Sequence, residues 1–196
     1  MHYCLSPYSS RNQFSMMMSE REFDVAVEVG THRGDYANIL LTDWQGKLYC
    51  VDPWCDVEGY EYQAQILIDH LHGNKERLRD LERAKSLLNG KNVTFIQKLS
   101  VDAAEEFEDS SVDFIYIDGN HEEPYVYEDL VTWWPKLRPG GVLAGHDIIT
   151  PGECETGWSR GIQSAVSKFG EDMSLICYLV QEEGGLPWSY YMEKLQ

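Results

Sequence analysis

Apolar residues along this chain come in short bursts, separated by stretches with helical spacing. The run at 24–30, "DVAVEVG", is rich in β-branched residues and ends in glycine. Similar runs stand at 47–52 ("KLYCVD"), 92–97 ("NVTFIQ"), 112–118 ("VDFIYID") and 142–147 ("VLAGHD"), then at 174–180 ("SLICYLV") and 188–195 ("WSYYMEKL"). Short continuous apolar runs read as strands buried on both faces. Between them, Tyr36, Ile39, Leu40 and Trp44 make a helical stripe in 34–44, and Leu78, Leu81 and Leu88 make one in 74–90. Asn74 is placed to cap the second of these helices and Gly90 to stop it. Further helices are expected at 100–107, 123–137 and 160–170, with Pro124 in a first turn, Pro135 at an end and "RPGG" at 138–141 as a turn. Residues 53–73 are less regular, although "YQAQILIDHL" has the spacing of a helix.

Strands alternating with helices predict an α/β fold, a Rossmann-like doubly wound sheet. The last two strands have no helix between them and are expected to form an antiparallel pair at one edge. We expect a single domain, with 24–196 as its core and 1–23 as an N-terminal extension. Residues 1–23 and the loop 151–159 look least tied to that core. A length of 196 residues suits one domain with a sizeable core.

Composition narrows the partners more than the fold. The net charge is −17, from 33 acidic and 16 basic residues, and such a surface repels nucleic-acid phosphates and anionic lipid. No nucleic acid and no membrane are therefore expected as partners. Neither a membrane-length apolar run nor a secretory leader is seen, so a cytoplasmic setting is expected. The five cysteines, Cys4, Cys50, Cys55, Cys154 and Cys177, are irregularly spaced and include no CxxC pair, which fits neither a disulfide framework nor a zinc knuckle. Cys50 and Cys177 lie in apolar runs and read as inert core thiols.

Candidate chemistry gathers at the ends of the expected strands. "EVGTHRG" (28–34) joins the first strand to the first helix. Glycine there allows close approach of a ligand to backbone N–H groups. A dinucleotide fingerprint would read GxGxxG, but Glu28 stands where its first glycine would be. A pyrophosphate would meet a carboxylate, so a ligand with a cationic or hydroxylated group fits better. Asp52 ends the second strand, where an acidic residue can take both hydroxyls of a ribose. Trp54 follows and could stack on an adenine.

These elements, with "YIDGNH", "RPGG", "AGHD" and "RGIQSAVSKF" in order, resemble the class I S-adenosylmethionine-dependent methyltransferases. Within them the likeness is to a small family with IDGxH and GHD strand ends, related to catechol-type and macrolide-sugar O-methyltransferases. The resemblance covers roughly residues 24–193. It implies seven strands in the order 3-2-1-4-5-7-6 with strand seven antiparallel, and S-adenosylmethionine as cofactor. It implies that Gly30, Thr31 and Gly34 surround the methionine moiety, that Glu28 supports that loop or the amino group, that Asp52 binds the ribose, and that Trp54, Ser100 and Val101 border the adenine. It also places Asp118 beside the cofactor.

Asp118 and Asp147 end neighbouring strands. Two carboxylates meeting with no Lys or Arg nearby in sequence call for a positive group between them, either the sulfonium or a divalent cation. Metal-dependent relatives imply Asp118, His146 and Asp147 as ligands. Oxygen ligands suit Mg²⁺, Ca²⁺ or Mn²⁺, and His146 shifts the preference toward Mn²⁺, Fe²⁺ or Zn²⁺. His121 stands just beyond Asp118, and the sugar methyltransferases imply that it is the general base. A turn residue before the next helix is the plainer reading of His121, and plain core that of Trp54. The expected function is O-methylation of a small hydroxylated molecule, a sugar, polyketide or phenolic, with homodimerisation left open. A metal-dependent hydrolase built on Asp118, His121, His146 and Asp147 is the second reading, though it leaves Glu28 and Asp52 unexplained. A cofactor-binding module without catalysis is the third.

Overall fold

Strand β2 (Val25–Val29) lies in the interior of the sheet and pairs in parallel with β3 (Lys47–Val51) on one side and β5 (Val112–Ile117) on the other. The structure is a computed structural model that describes residues 1–55, 74–148, 157–182 and 187–195. The remaining elements are β1 (His2–Leu5), β4 (Val93–Ile96), β6 (Leu137–Ile148), β7 (Ile176–Val180) and β8 (Trp188–Glu193). The helices are α1 (Phe14–Glu20), α2 (Asp35–Leu40), α3 (Asn74–Leu87), α4 (Ser100–Ala104), α5 (Glu123–Trp133) and α6 (Gly157–Asp172).

The sheet has eight strands in the order β1-β7-β8-β6-β5-β2-β3-β4. Only β8 runs antiparallel to its neighbours, β6 and β7. The seven strands from β2 to β8 thus take the implied 3-2-1-4-5-7-6 order, and β1 adds an eighth at the edge beyond β7. Side chains alternate between two cores. Val27, Val29, Ile115, Ile117 and Leu143 face α5 and α6, while Ala26, Phe114, Tyr116 and Val142 face α1 and α2. All six strand residues of β5 are buried, as expected of a strand covered on both faces.

Several expectations need correction. Residues 1–23 are firmly tied to the core. Phe14, Met17 and Met18 are wholly buried against the β2–β5 face, each contributing about 2 kcal/mol of apolar burial. The last two strands are an antiparallel pair, but β1 covers their outer side. "RPGG" lies within β6 as a register shift between Val112 and Phe114 of its partner. The 123–137 helix stops at Trp133. The buried stripe of α3 is Leu81 and Ala84, continued by Leu88 just past its end, whereas Leu78 is half exposed. Gly90 has φ +79, as a helix-stopping residue needs. Cys50 and Cys177 are buried free thiols. The helix expected from "YQAQILIDHL", the loop at 151–156, Cys154, His70 and His72 lie outside the described residues. Among the described residues, no helix is long and apolar enough to cross a membrane.

Candidate active site

The carboxyl ends of β2, β3, β5 and β6 converge on one cleft. Between β2 and α2 the chain turns through Gly30 at φ +90. A Cβ there would sit 2.1 Å from the Asp118 carbonyl oxygen, so only glycine lets the loop and the end of β5 come this close. Gly30 N–H donates to Val51 O at 2.8 Å, and Asp118 N–H donates to Val29 O at 2.9 Å. These bonds knit three strand ends together. Gly34, at φ +79, lies 3.2 Å (as a Cβ) from Ala84 and lets α3 close on the loop.

Glu28 lies beneath this loop, 2% exposed. Its Oε2 has no hydrogen-bond partner among the described residues. Burial pushes its carboxyl up to about 8; Thr31's hydrogen bond opposes this, the Asp118 and Asp52 charges add to it, and Arg11 opposes it. Thr31 is itself buried. At the end of β3, Asp52 accepts from the His32 N–H at 3.0 Å and from the Trp54 N–H at 2.8 Å. Burial raises its pKa against those two bonds. Trp54 is 1% exposed, donates its indole N–H to His32 O at 2.7 Å and meets Phe95 edge-on. Its ring is part of the core and fixes the loop.

At the end of β5, Asp118 faces His121 and Asp147. The imidazole Nε2 of His121 lies 3.4 Å from Asp118 Oδ1 and 3.6 Å from Asp147 Oδ2. Burial lowers the pKa of His121, but the hydrogen bond and charge of Asp118 and the charge of Asp147 outweigh this and raise it. Asp147 owes its aim to a bulge. Gly145 pairs with Tyr190 and Ile148 with Trp188, so β6 carries one extra residue there, and Asp147 takes φ +59. His146 Nδ1 lies 2.8 Å from Asp147 Oδ1. Burial raises the pKa of Asp147, yet His146, His121 and Arg11 bring it below the usual value. Ile117, Val126, Ile162 and Tyr190 give the cleft an apolar wall.

The expected ligand trio of Asp118, His146 and Asp147 is exchanged in this geometry. The convergent atoms belong to Asp118, His121 and Asp147, all within 4.8 Å of one another, while His146 lines the same cleft and pairs with Asp147. The nearest cation among the described residues comes from far away in sequence. Arg11, from the turn before α1, brings Nη1 to 3.7 Å from Asp118 Oδ2.

Residues 27–148 match the family described as "Methyltransferase domain". The chain belongs to that methyltransferase family. Among curated proteins, an uncharacterized Sinorhizobium fredii protein is 27% identical over 126 residues, 62% of this chain and 13% of the relative. An uncharacterized Acanthamoeba polyphaga mimivirus protein is 24% identical over 152 residues, 75% of this chain and 59% of the relative. The methyltransferase chain thus spans under two thirds of both. Among solved structures, a Bacillus cereus O-methyltransferase in complex with SAH (S-adenosylhomocysteine) superposes with TM-score 0.66 at 14% identity, covering 93% of this chain and 80% of that one. The N-methyltransferase NodS from Bradyrhizobium japonicum gives TM-score 0.60 at 12% identity, with 95% of each chain covered. These likenesses establish the methyltransferase fold, and the hydrolase reading is left without support.

Two site residues were missed in the sequence. Arg11 lies in an N-terminal stretch that carries a legible helix start: Ser10 caps the turn, and Phe14, Met17 and Met18 follow at helical spacing. Asp129 occupies the buried stripe of α5 with Val126, Leu130 and Trp133. It bonds Ser100, which also accepts the Trp133 indole N–H at 2.9 Å. Burial raises Asp129 to about 7, against the Ser100 bond and with help from Glu128. A polar residue on an apolar helix face was the available signal. Val101, beside Ser100, is half-buried.

Proposed function

We propose that this chain is an S-adenosylmethionine-dependent methyltransferase that O-methylates a small hydroxylated molecule, a sugar, polyketide or phenolic, with His121 as general base. The observation that carries the reading is the His121 Nε2 held between Asp118 and Asp147 at the mouth of the Gly30 loop. The cofactor's fit rests on the orphaned, buried Glu28 oxygen, which an ammonium would satisfy. In this reading Gly30, Thr31 and Gly34 shape the loop around the methionine moiety. Asp52 keeps lone pairs for a ribose beside its two backbone bonds, and Ser100 and Val101 border the adenine. The buried Trp54 supports that pocket through the loop it anchors.

When bound, the cofactor supplies an electrophilic methyl group on sulfur. Neutral His121 takes the acceptor's hydroxyl proton as the oxygen becomes a nucleophile. Asp118 and Asp147 stabilise the resulting imidazolium by direct charge pairing. The Ile117–Tyr190 wall excludes water and holds the acceptor in line. Its aromatic and aliphatic lining supports a partly apolar acceptor.

A second reading has its own observation. The ligand atoms of Asp118, His121 and Asp147 are close enough together to hold one divalent cation, with His146 as the outer partner of Asp147. Such an ion would lower the acceptor hydroxyl's pKa and orient it. His121 Nε2 cannot ligate an ion and accept a proton at once, so the two readings separate.

The test is methyl transfer from labelled S-adenosylmethionine to a panel of hydroxylated acceptors, with and without chelator. The base reading predicts that His121→Ala lowers transfer about 100-fold or more while SAH affinity is retained and chelation changes nothing. Loss on chelation that Mg²⁺ or Mn²⁺ restores would favour the ion. Full activity of His121→Ala would refute both roles.

A further inference from the structure

Arg11 is held at every part of its length. Its backbone N–H donates to Glu182 Oε1 at 2.8 Å, and its carbonyl accepts the Tyr36 hydroxyl at 2.9 Å. Glu182 is fixed in turn by the hydroxyls of Ser10 at 2.9 Å and Ser189 at 3.0 Å. The guanidinium lies over the Tyr36 ring, 4.8 Å from its centre, and Nη1 donates to the Tyr116 hydroxyl at 3.0 Å. A long, flexible side chain has been given one position before any ligand arrives, which removes much of the entropy cost of using it.

That position is beside the Gly30 loop. Asp118 Oδ2 is 3.7 Å away, too far for a hydrogen bond. Among the described residues, the guanidinium donates only to Tyr116, although it carries five N–H donors in a fixed fork. The side chain is 27% exposed and stands beside Asp118, which lines the cleft. Glu28, with its unpartnered oxygen, pairs in register with the Tyr116 that accepts from Arg11, two residues before the Asp118 carboxylate. One fixed cation set against two carboxylates is the complement of an α-amino acid, whose ammonium and carboxylate share a carbon.

We propose that Arg11 binds the α-carboxylate of the cofactor's methionine moiety, with Glu28 and Asp118 taking its ammonium. The inference rests on the cofactor reading above and makes the N-terminal arm part of the cofactor site. Guanidinium meets a carboxylate through two parallel N–H bonds, a geometry that lysine cannot reproduce. The arm's anchors therefore set cofactor affinity: Phe14, Met17 and Met18 seat α1, and Glu182 fixes the turn that presents Arg11.

Calorimetric titration with two ligands tests this. One is SAH. The other is 5′-S-(3-aminopropyl)-5′-thioadenosine, which keeps the amine and the nucleoside but lacks the carboxylate. Arg11→Met keeps the apolar stem over Tyr36 and removes the charge. It should weaken SAH roughly 10- to 100-fold, the effect of losing a charge-assisted hydrogen-bonded contact. Its affinity for the aminopropyl analogue should equal that of wild type, and Arg11→Lys should fall between the two for SAH. Equal weakening of both ligands would show that Arg11 only supports the fold and would overturn the assignment. So would unchanged SAH affinity with a raised KM for the acceptor, which would give the guanidinium to the acceptor instead. Wild-type protein that binds neither ligand would overturn the cofactor reading itself.

Discussion

Replacing Glu28 by glutamine should make the protein more stable and worse at binding its cofactor. The folded protein holds the Glu28 proton up to about pH 8, whereas an unburied glutamate releases it near 4.5. Because the folded state binds this proton more tightly, its contribution to stability falls as pH rises from 4.5 to 8 and then levels off. At about 1.4 kcal/mol per tenfold change in proton affinity, the full penalty above that window is on the order of 5 kcal/mol. Glutamine keeps the shape and has no charge to bury. Urea denaturation of both proteins between pH 5 and 9 should therefore give curves that start close and diverge, with Glu28→Gln ahead by several kcal/mol, on the order of 5, at the alkaline end. Titration with SAH at pH 8 should show the variant binding about tenfold more weakly, since an ammonium loses its charged partner. A stability gap that does not change with pH would refute the claim that Glu28 is held protonated by burial. Unchanged SAH affinity would refute its role toward the amino group.

Other substitutions probe the same cleft from different sides. Gly30→Ala forces a Cβ to within 2.1 Å of the Asp118 carbonyl at a φ of +90; it should cost about 3 kcal/mol or more in thermal unfolding and abolish SAH binding. Asp129→Asn removes a buried carboxyl raised from 3.8 to about 7. Its advantage over wild type should grow from pH 4 and stop growing above pH 7, reaching several kcal/mol, on the order of 4, in urea melts at pH 8. A gap still widening above pH 8 would contradict that assignment. Leu81→Ala, in the buried stripe of α3, should cost about 2–4 kcal/mol, while Leu78→Ala should be nearly neutral; equal costs would misplace the stripe.

How much of this was legible in the sequence depended on how each feature announces itself. The central strands were readable because burial on both faces leaves continuous apolar runs, as in "DFIYI" of β5. Strand β1 was not, since "HYCL" lies at the sheet edge with three of its four residues exposed and the fourth only partly buried. It therefore shows neither a run nor an alternation. Helix α1 did carry its signal, in Phe14, Met17 and Met18, but the adjacent polar residues masked it. Asp118, Glu28 and Asp52 could be placed because each stands at a strand end, and topology brings strand ends together. Which histidine faces the carboxylates could not be placed. His121 and His146 both lie at such ends, and the choice is made by the one-residue bulge that turns Asp147 toward His121. Arg11 was out of reach for a different reason. It joins the cleft through Tyr36, Tyr116 and Glu182, which lie 25, 105 and 171 residues away in sequence, and local pattern holds no information about contacts at that range.

Titration of the wild-type protein with SAH in a calorimeter tests the central claim most directly. The account predicts saturable binding of one ligand per chain in the micromolar range, strengthened as Glu28 ionises. No heat of binding at millimolar SAH would contradict it and would leave the Glu28–Gly30–Asp118 cleft without its ligand.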